Sequence, residues 1–200
     1  LLGGVDAVIL VDGGTDSLMR GDEPGLGTPE EDIASLCAVD ALDDVAQKFL
    51  VCIGFGVDTF HGVCHAYFLQ AVADLIRAGG YLGAWSLMRE MPEVMLYKDA
   101  ANYVHSIMFN HPSIVSSSIL SALDGRFGNY HATYRTEGSN LFINPLMAFC
   151  WVFQVDRVLR RNLYQHHIQE TQTRAELEHA IMTFRAGNQA AQKEWIDLPV

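Results

Sequence analysis

The chain has 200 residues, half of them apolar, which is enough for one sizeable core and too little for two full domains. No apolar run approaches the ~20 residues that a membrane-crossing helix needs, so a membrane partner is not expected. The net charge of -11 is concentrated in residues 1–60, where twelve acidic residues face only Arg20 and Lys48; such a field disfavours nucleic acid and anionic lipid and favours cations or a cation-mediated ligand.

The first element in chain order is a strand over Val5 to Val11, a short apolar run ended by Asp-Gly-Gly. A long loop rich in glycine follows, of a length usually kept for function. Thr28-Pro29-Glu30-Glu31 combines an N-cap threonine, a proline at the first helical position and a glutamate at the third, so a helix begins there and runs to about Asp44. Phe49 to Gly54 reads as a second buried strand. Val57-Asp58-Thr59 leads into a long helix closed by Gly79-Gly80.

Tyr81 to Ser86 is a third strand, and a helix is expected from Pro92 to about Phe109, then another from Ser113 to Leu123. The segment from Gly125 to Asn140 is polar and turn-rich. Phe149 to Phe153 reads as a further strand, Asp156 to Arg161 as a short basic helix, and Thr173-Arg174-Ala175-Glu176 as the capping box of a last amphipathic helix to Arg185. Strands alternating with crossover helices imply a single α/β domain. Its expected form is a three-layer, Rossmann-like, mostly parallel sheet with helices on both faces.

The opening LLGGVDAVILVDGG has no basic segment and no cleavage site of a secretory signal, and its start on an apolar pair reads as a fragment whose upstream segment is missing. Cys37, Cys52, Cys64 and Cys150 are widely spaced and form no CxxC pair, which fits reduced core thiols and a cytoplasmic location.

Open parallel sheets bind ligands beyond the carboxyl ends of their strands, and the segment from Asp12 to Glu23 is expected there. Gly13 and Gly14 allow the backbone close to a ligand, with Thr15 beside them as a further phosphate contact. Asp12, Asp16, Asp22 and Glu23 supply hard oxygen ligands for a divalent cation such as Mg2+. Arg20 either clamps a phosphate or neutralises Asp16 or Asp22. The alternative is a structural turn network in which each carboxylate accepts backbone N–H groups.

GFGVDTFHGVCH follows the second strand and should share the rim with the acidic loop. Asp58 or Thr59 caps the helix and leaves N–H groups free for an anion, while His61 and His65 recur at i, i+4 as on one helical face. That spacing serves a metal, with His65 as ligand and Asp58 as the third donor, or it holds structural histidines in the sheet–helix interface. Later in the chain, His131 is a candidate acid or base and Arg135 a candidate anion clamp.

GGTDS resembles the core of the phosphate-gripping loop of ATP pyrophosphatases, SGGxDS. Asp12 replaces its leading serine, and Gly21, Pro24 and Gly25 interrupt the helix that should follow. Over VILVDGGTDSLMRGDE, GTPEEDIASL and GVDTFHGVCHAYFL the chain resembles the uncharacterised family known as domain of unknown function 1152, over most of its length. That resemblance implies α/β character and a further glycine-rich strand–turn segment upstream of the part present here. It implies no substrate.

Together these readings lead to an enzyme acting on a small phosphorylated or nucleotide-like ligand with a divalent cation. Asp12, Asp16 and Asp22 would bind metal or hydroxyls, Arg20 and Arg135 would offset phosphate charge, and His61 or His131 would act as acid and base. The alternative is a non-catalytic small-molecule binding or regulatory module that forms homo-oligomers through its apolar helices.

Overall fold

A computed structural model describes residues 4–198; the opening Leu1-Leu2 pair of the fragment reading lies outside them. β1 (Ala7–Asp12) and β2 (Gln47–Cys52) pair in parallel, with Leu10 opposite Leu50 and Asp12 opposite Cys52. The helix between them, α1 (Pro29–Asp40), buries Ile33 and Leu36 in the main core. It stops before the expected Asp44. Its N-terminus also differs in detail: Thr28 turns its hydroxyl to Asp16 at 3.0 Å and makes no side-chain cap.

The helix expected after β2 is broken. Val57–His61 is a 3-10 turn, Gly62 adopts a left-handed φ of 81°, and α2 (His65–Arg77) starts only after it. A left-handed residue ends a helical run because the next N–H no longer points along the axis. His61 and His65 therefore do not share a helical face, and the i, i+4 pairing is corrected.

β3 (Tyr81–Ser86) is followed by α3 (Pro92–Ile107), α4 (Ile114–Leu123), the short strands β4 (Gly128–Asn129) and β5 (Phe142–Ile143), and β6 (Phe149–Gln154). α5 (Val155–Leu159) and α6 (Arg174–Gly187) complete the helices, and the capping box of Thr173 with Glu176 forms as expected. Among the described residues no helix is long and apolar enough to cross a membrane.

The main sheet has the order β1-β2-β6-β3, and β6 runs antiparallel to both of its neighbours. This corrects the mostly parallel, Rossmann-like expectation: the fold is α/β with a mixed sheet. β1, β2 and β3 do point the same way, but β6 lies between β2 and β3. The wholly apolar centre of β6, with Phe153 fully buried, suits an interior position, whereas β3 carries a register shift between Tyr81 and Gly83 and forms an edge.

One face of this sheet, at Leu10, Leu50, Cys52 and Phe153, packs on α1, α2, α5 and α6 as the main core. On the other face Ile9, Val11 and Trp85 are 60%, 62% and 50% exposed, so the expected second helical layer does not cover these strands. A smaller core gathers Val57, Ile114, Leu141, Ile143 and Met147 beside the carboxyl end of β2. The four cysteines are free thiols, three of them buried.

Candidate functional site

Because β1 and β2 run in parallel, Asp12 and Cys52 end at the same edge, and the loops that follow meet there. The junction is tight. The Thr15 N–H and hydroxyl donate to Asp58 Oδ2 at 2.7 and 3.3 Å, and a methyl group placed on Gly25 would lie 2.2 Å from the Gly62 carbonyl oxygen. Glycine at position 25 is what lets the two backbones approach.

Four carboxylates converge at this junction. Asp12 accepts the Ser17 hydroxyl at 2.6 Å, and Asp16 accepts the N–H and hydroxyl of Thr28 at 2.8 and 3.0 Å. Asp32, in the first turn of α1, has a buried Oδ2 with no hydrogen-bond partner. One oxygen from each of Asp12, Asp16 and Asp32 falls within 4.8 Å of the others. Asp58 closes the group, since a methyl on Gly14 would stand 2.9 Å from both Asp16 Oδ1 and Asp58 Oδ2.

Among the described residues no lysine or arginine pairs with any of these four. The electrostatic consequence is large. Burial first, and the neighbouring Asp16 second, push the Asp12 carboxyl up to about 6. Burial together with Asp16, Asp12 and Asp58 pushes Asp32 up to about 10, and Asp58 is raised well above the usual carboxylate range by burial and then by Asp16. Without a cation the cluster must hold protons, because adjacent buried carboxylates cannot all ionise. Oxygens of an octahedral Mg2+ shell stand about 3 to 4 Å apart, which this spacing approaches.

The second half of the acidic loop has a different task. Glu23, 1% exposed, accepts the N–H groups of Arg20 and Gly21 at 2.9 Å each. Arg20 pairs with Asp22 at 2.6 Å, and Lys193 reaches Asp22 at 2.9 Å and Glu23 at 3.6 Å. Arg185 donates to the carbonyls of Gly21, Glu23 and Pro24. Asp22 and Glu23 thus lie outside the group of three that offers ligand atoms to one ion, and Arg20 is engaged by Asp22. These three residues clamp the loop to the C-terminal part of the chain.

Domain of unknown function 1152, described as "Protein of unknown function", matches residues 2–186. The chain belongs to this family. No curated protein and no solved structure matches it. Family membership therefore brings no substrate to the site, and the chemistry must be read from the side chains.

The remaining expected residues are dispersed. Gly13 lies against Val115 of α4, and Thr59 donates its hydroxyl to the Gly56 carbonyl at 2.7 Å. His61 is exposed, its ring stacked 3.8 Å from that of Phe60. His65 sits edge-on to Phe55 and lines, with Thr59 of the 57–61 turn, a cavity to which none of the four carboxylates contributes. His131 is held between Asn129 at 2.8 Å and Thr136 at 3.0 Å, and Arg135 donates to the Pro112 carbonyl. The structure brings Asp12, Gly14, Thr15, Asp16 and Asp58 together; it does not bring either imidazole, His61 or His131, into that group.

Asp32 is the residue that sequence reading missed. Its place in Pro-Glu-Glu-Asp looks like ordinary acidic complement to a helix N-terminus. A geometric cue was present, because the helix entered by a loop from β1 must start near the same sheet edge.

Proposed function

We propose that the protein is a divalent-cation-dependent enzyme for a small phosphorylated or nucleotide-like ligand, with Asp12, Asp16 and Asp32 as the cation ligands. The observation that carries this reading is the convergence of these carboxylates with Asp58, unpaired with any basic side chain among the described residues, and with a buried Asp32 oxygen lacking any partner. A cation would remove the mutual repulsion and return the raised carboxyl groups to their ionised form. Asp58 orients the loop by holding Thr15. Mg2+ suits an all-oxygen site that keeps positions open for a phosphate.

Such a centre does not depend on a histidine, since a cation can polarise a phosphoryl oxygen and activate water. Neither expected acid–base histidine hydrogen-bonds to the carboxylates, which favours one alternative, a module that binds the same ligand without turnover. Titration calorimetry with Mg2+ and Mn2+ on the wild type and on Asp16→Ala tests the cation reading: binding to the wild type that is lost in the variant supports it, and equal behaviour of both overturns it. Incubation of the Mg2+-loaded protein with a panel of nucleotides and sugar phosphates, read by product formation, separates enzyme from binder.

A further inference from the structure

A cavity of about 800 Å3 is lined among others by Phe55, His65, Asn129, Phe142, Trp195 and Asp197. Ligand cavities fall in the range of about 300 to 1,000 Å3 and combine apolar walls with a few polar groups. This one has aromatic walls from three separate parts of the chain. Phe142 and Trp195, 53% and 42% exposed, both present ring surface to it.

The polar groups along the wall have free hydrogen-bonding capacity. His65 Nδ1 is buried without a partner, and Nε2 makes no hydrogen bond among the described residues. Burial lowers the His65 pKa, which keeps the imidazole neutral at physiological pH and able to accept or donate according to tautomer. Asn129 uses its Oδ1 on His131 and keeps its amide N–H groups, while Asp197 uses Oδ1 on the Trp195 indole and keeps Oδ2. Donors and acceptors thus line the same cavity as the aromatic rings.

We propose that this cavity binds the planar ring of a nitrogen heterocycle of purine-nucleoside size, stacked on Trp195 and Phe142 and hydrogen-bonded through its edge to His65, Asn129 and Asp197. An acyl chain would leave those polar groups without partners, and an anionic ring would meet Asp197. Asp58 and Thr59 are consecutive in the 57–61 turn, one facing the carboxylate cluster and the other the cavity. A nucleotide could therefore lie with its base in the cavity and its phosphate toward the carboxylates. That extension, unlike the ring site, rests on the cation reading.

Adenosine carries the ring without the phosphate, so its titration into the full chain in the presence of EDTA tests the cavity alone. Calorimetry should detect binding that weakens at least tenfold in Trp195→Ala and in His65→Ala, and stays within twofold in Glu178→Gln, at an exposed position of α6. Both cavity variants should keep the wild-type circular dichroism; if His65→Ala loses it, Trp195→Ala, at a partly exposed residue, decides. No heat with millimolar adenosine, or equal binding in wild type and Trp195→Ala, overturns the proposal. Adenosine binding with no Mg2+ binding retains the cavity and removes the cation site, and the reverse result does the opposite. Tighter binding of AMP than of adenosine only when Mg2+ is present would support the joint site, and equal affinities under both conditions would refute it.

Discussion

Asp32→Asn replaces one member of the carboxylate cluster by a neutral side chain of the same shape. In the cation-free protein the Asp32 carboxyl sits at about 10, chiefly through burial and then through Asp16, Asp12 and Asp58, so it carries a proton at neutral pH. Exchanging a protonated carboxyl for an amide should then change the stability of the cation-free protein by less than about 1 kcal/mol at pH 7. Cation binding should respond very differently. To become a ligand Asp32 must lose its proton, and three pKa units make that cost about 4 kcal/mol, or about a thousandfold in affinity, at pH 7.

It follows that Mg2+ affinity should rise at least about tenfold per pH unit between about pH 7 and 9, with one proton from Asp32 released per ion in addition to any that Asp58 gives up. Calorimetry at several pH values, in pairs of buffers with different ionisation enthalpies, counts that proton directly. In Asp32→Asn the slope should fall by about one proton along with the loss of most of the binding. Wild-type affinity that does not depend on pH over this range, or an Asn variant that binds Mg2+ as tightly as the wild type, would refute the argument that Asp32 is a ligand held protonated by its neighbours.

Asp12, raised to about 6 from 3.8, adds stability below pH 3.8 that is lost as the pH rises to 6; the loss is about 3 kcal/mol, so Asp12→Asn should flatten the fall in urea midpoint of the cation-free protein across that window. Gly14→Ala drives a methyl to 2.9 Å from Asp16 and Asp58, and should cost about 1 to 3 kcal/mol in chemical denaturation while weakening Mg2+ binding. Arg185→Ala leaves the carbonyls of Gly21, Glu23 and Pro24 without their donor; a loss of about 2 to 4 kcal/mol in the same assay is expected, and an unchanged midpoint would show that the clamp is not needed.

The parts of the fold that were legible in the sequence are those decided locally. Pro29 at the start of α1, the capping box at Thr173 and Glu176, and the apolar runs of β1 and β2 each announce themselves within a few residues, although β1, expected to be buried on both faces, leaves Ile9 and Val11 exposed. Strand neighbours are decided by distant contacts, and the insertion of β6 between β2 and β3 has no signature in the alternation of strands and helices that precedes it. Gly62 is a stop signal inside the expected helix, and its left-handed backbone is what separates His61 from His65. The site divides in the same way. Asp12 and Asp16 could be placed at a strand's carboxyl end from sequence, whereas the roles of Asp22 and Glu23 depend on Lys193 and Arg185, more than 160 residues away.

The contrast within that one loop argues most strongly against a purely structural reading of its carboxylates. A carboxylate that serves only the fold is made harmless when a nearby cation joins its N–H donors, as Lys193 joins two backbone N–H groups at Glu23. Asp16 and Asp58 are as well hidden from water, at 6% and 7% exposure, yet they stand beside Asp12 and Asp32 with no basic side chain in reach among the described residues. Hydrogen bonds from Thr15, Ser17 and Thr28 fix the geometry of three of these groups without cancelling their charge. Repulsion of that kind lowers the stability of the empty fold, and it becomes favourable only when positive charge arrives from outside. The same local field that makes the cluster costly to the apo protein would make it selective for a small, doubly charged ion over any monovalent one.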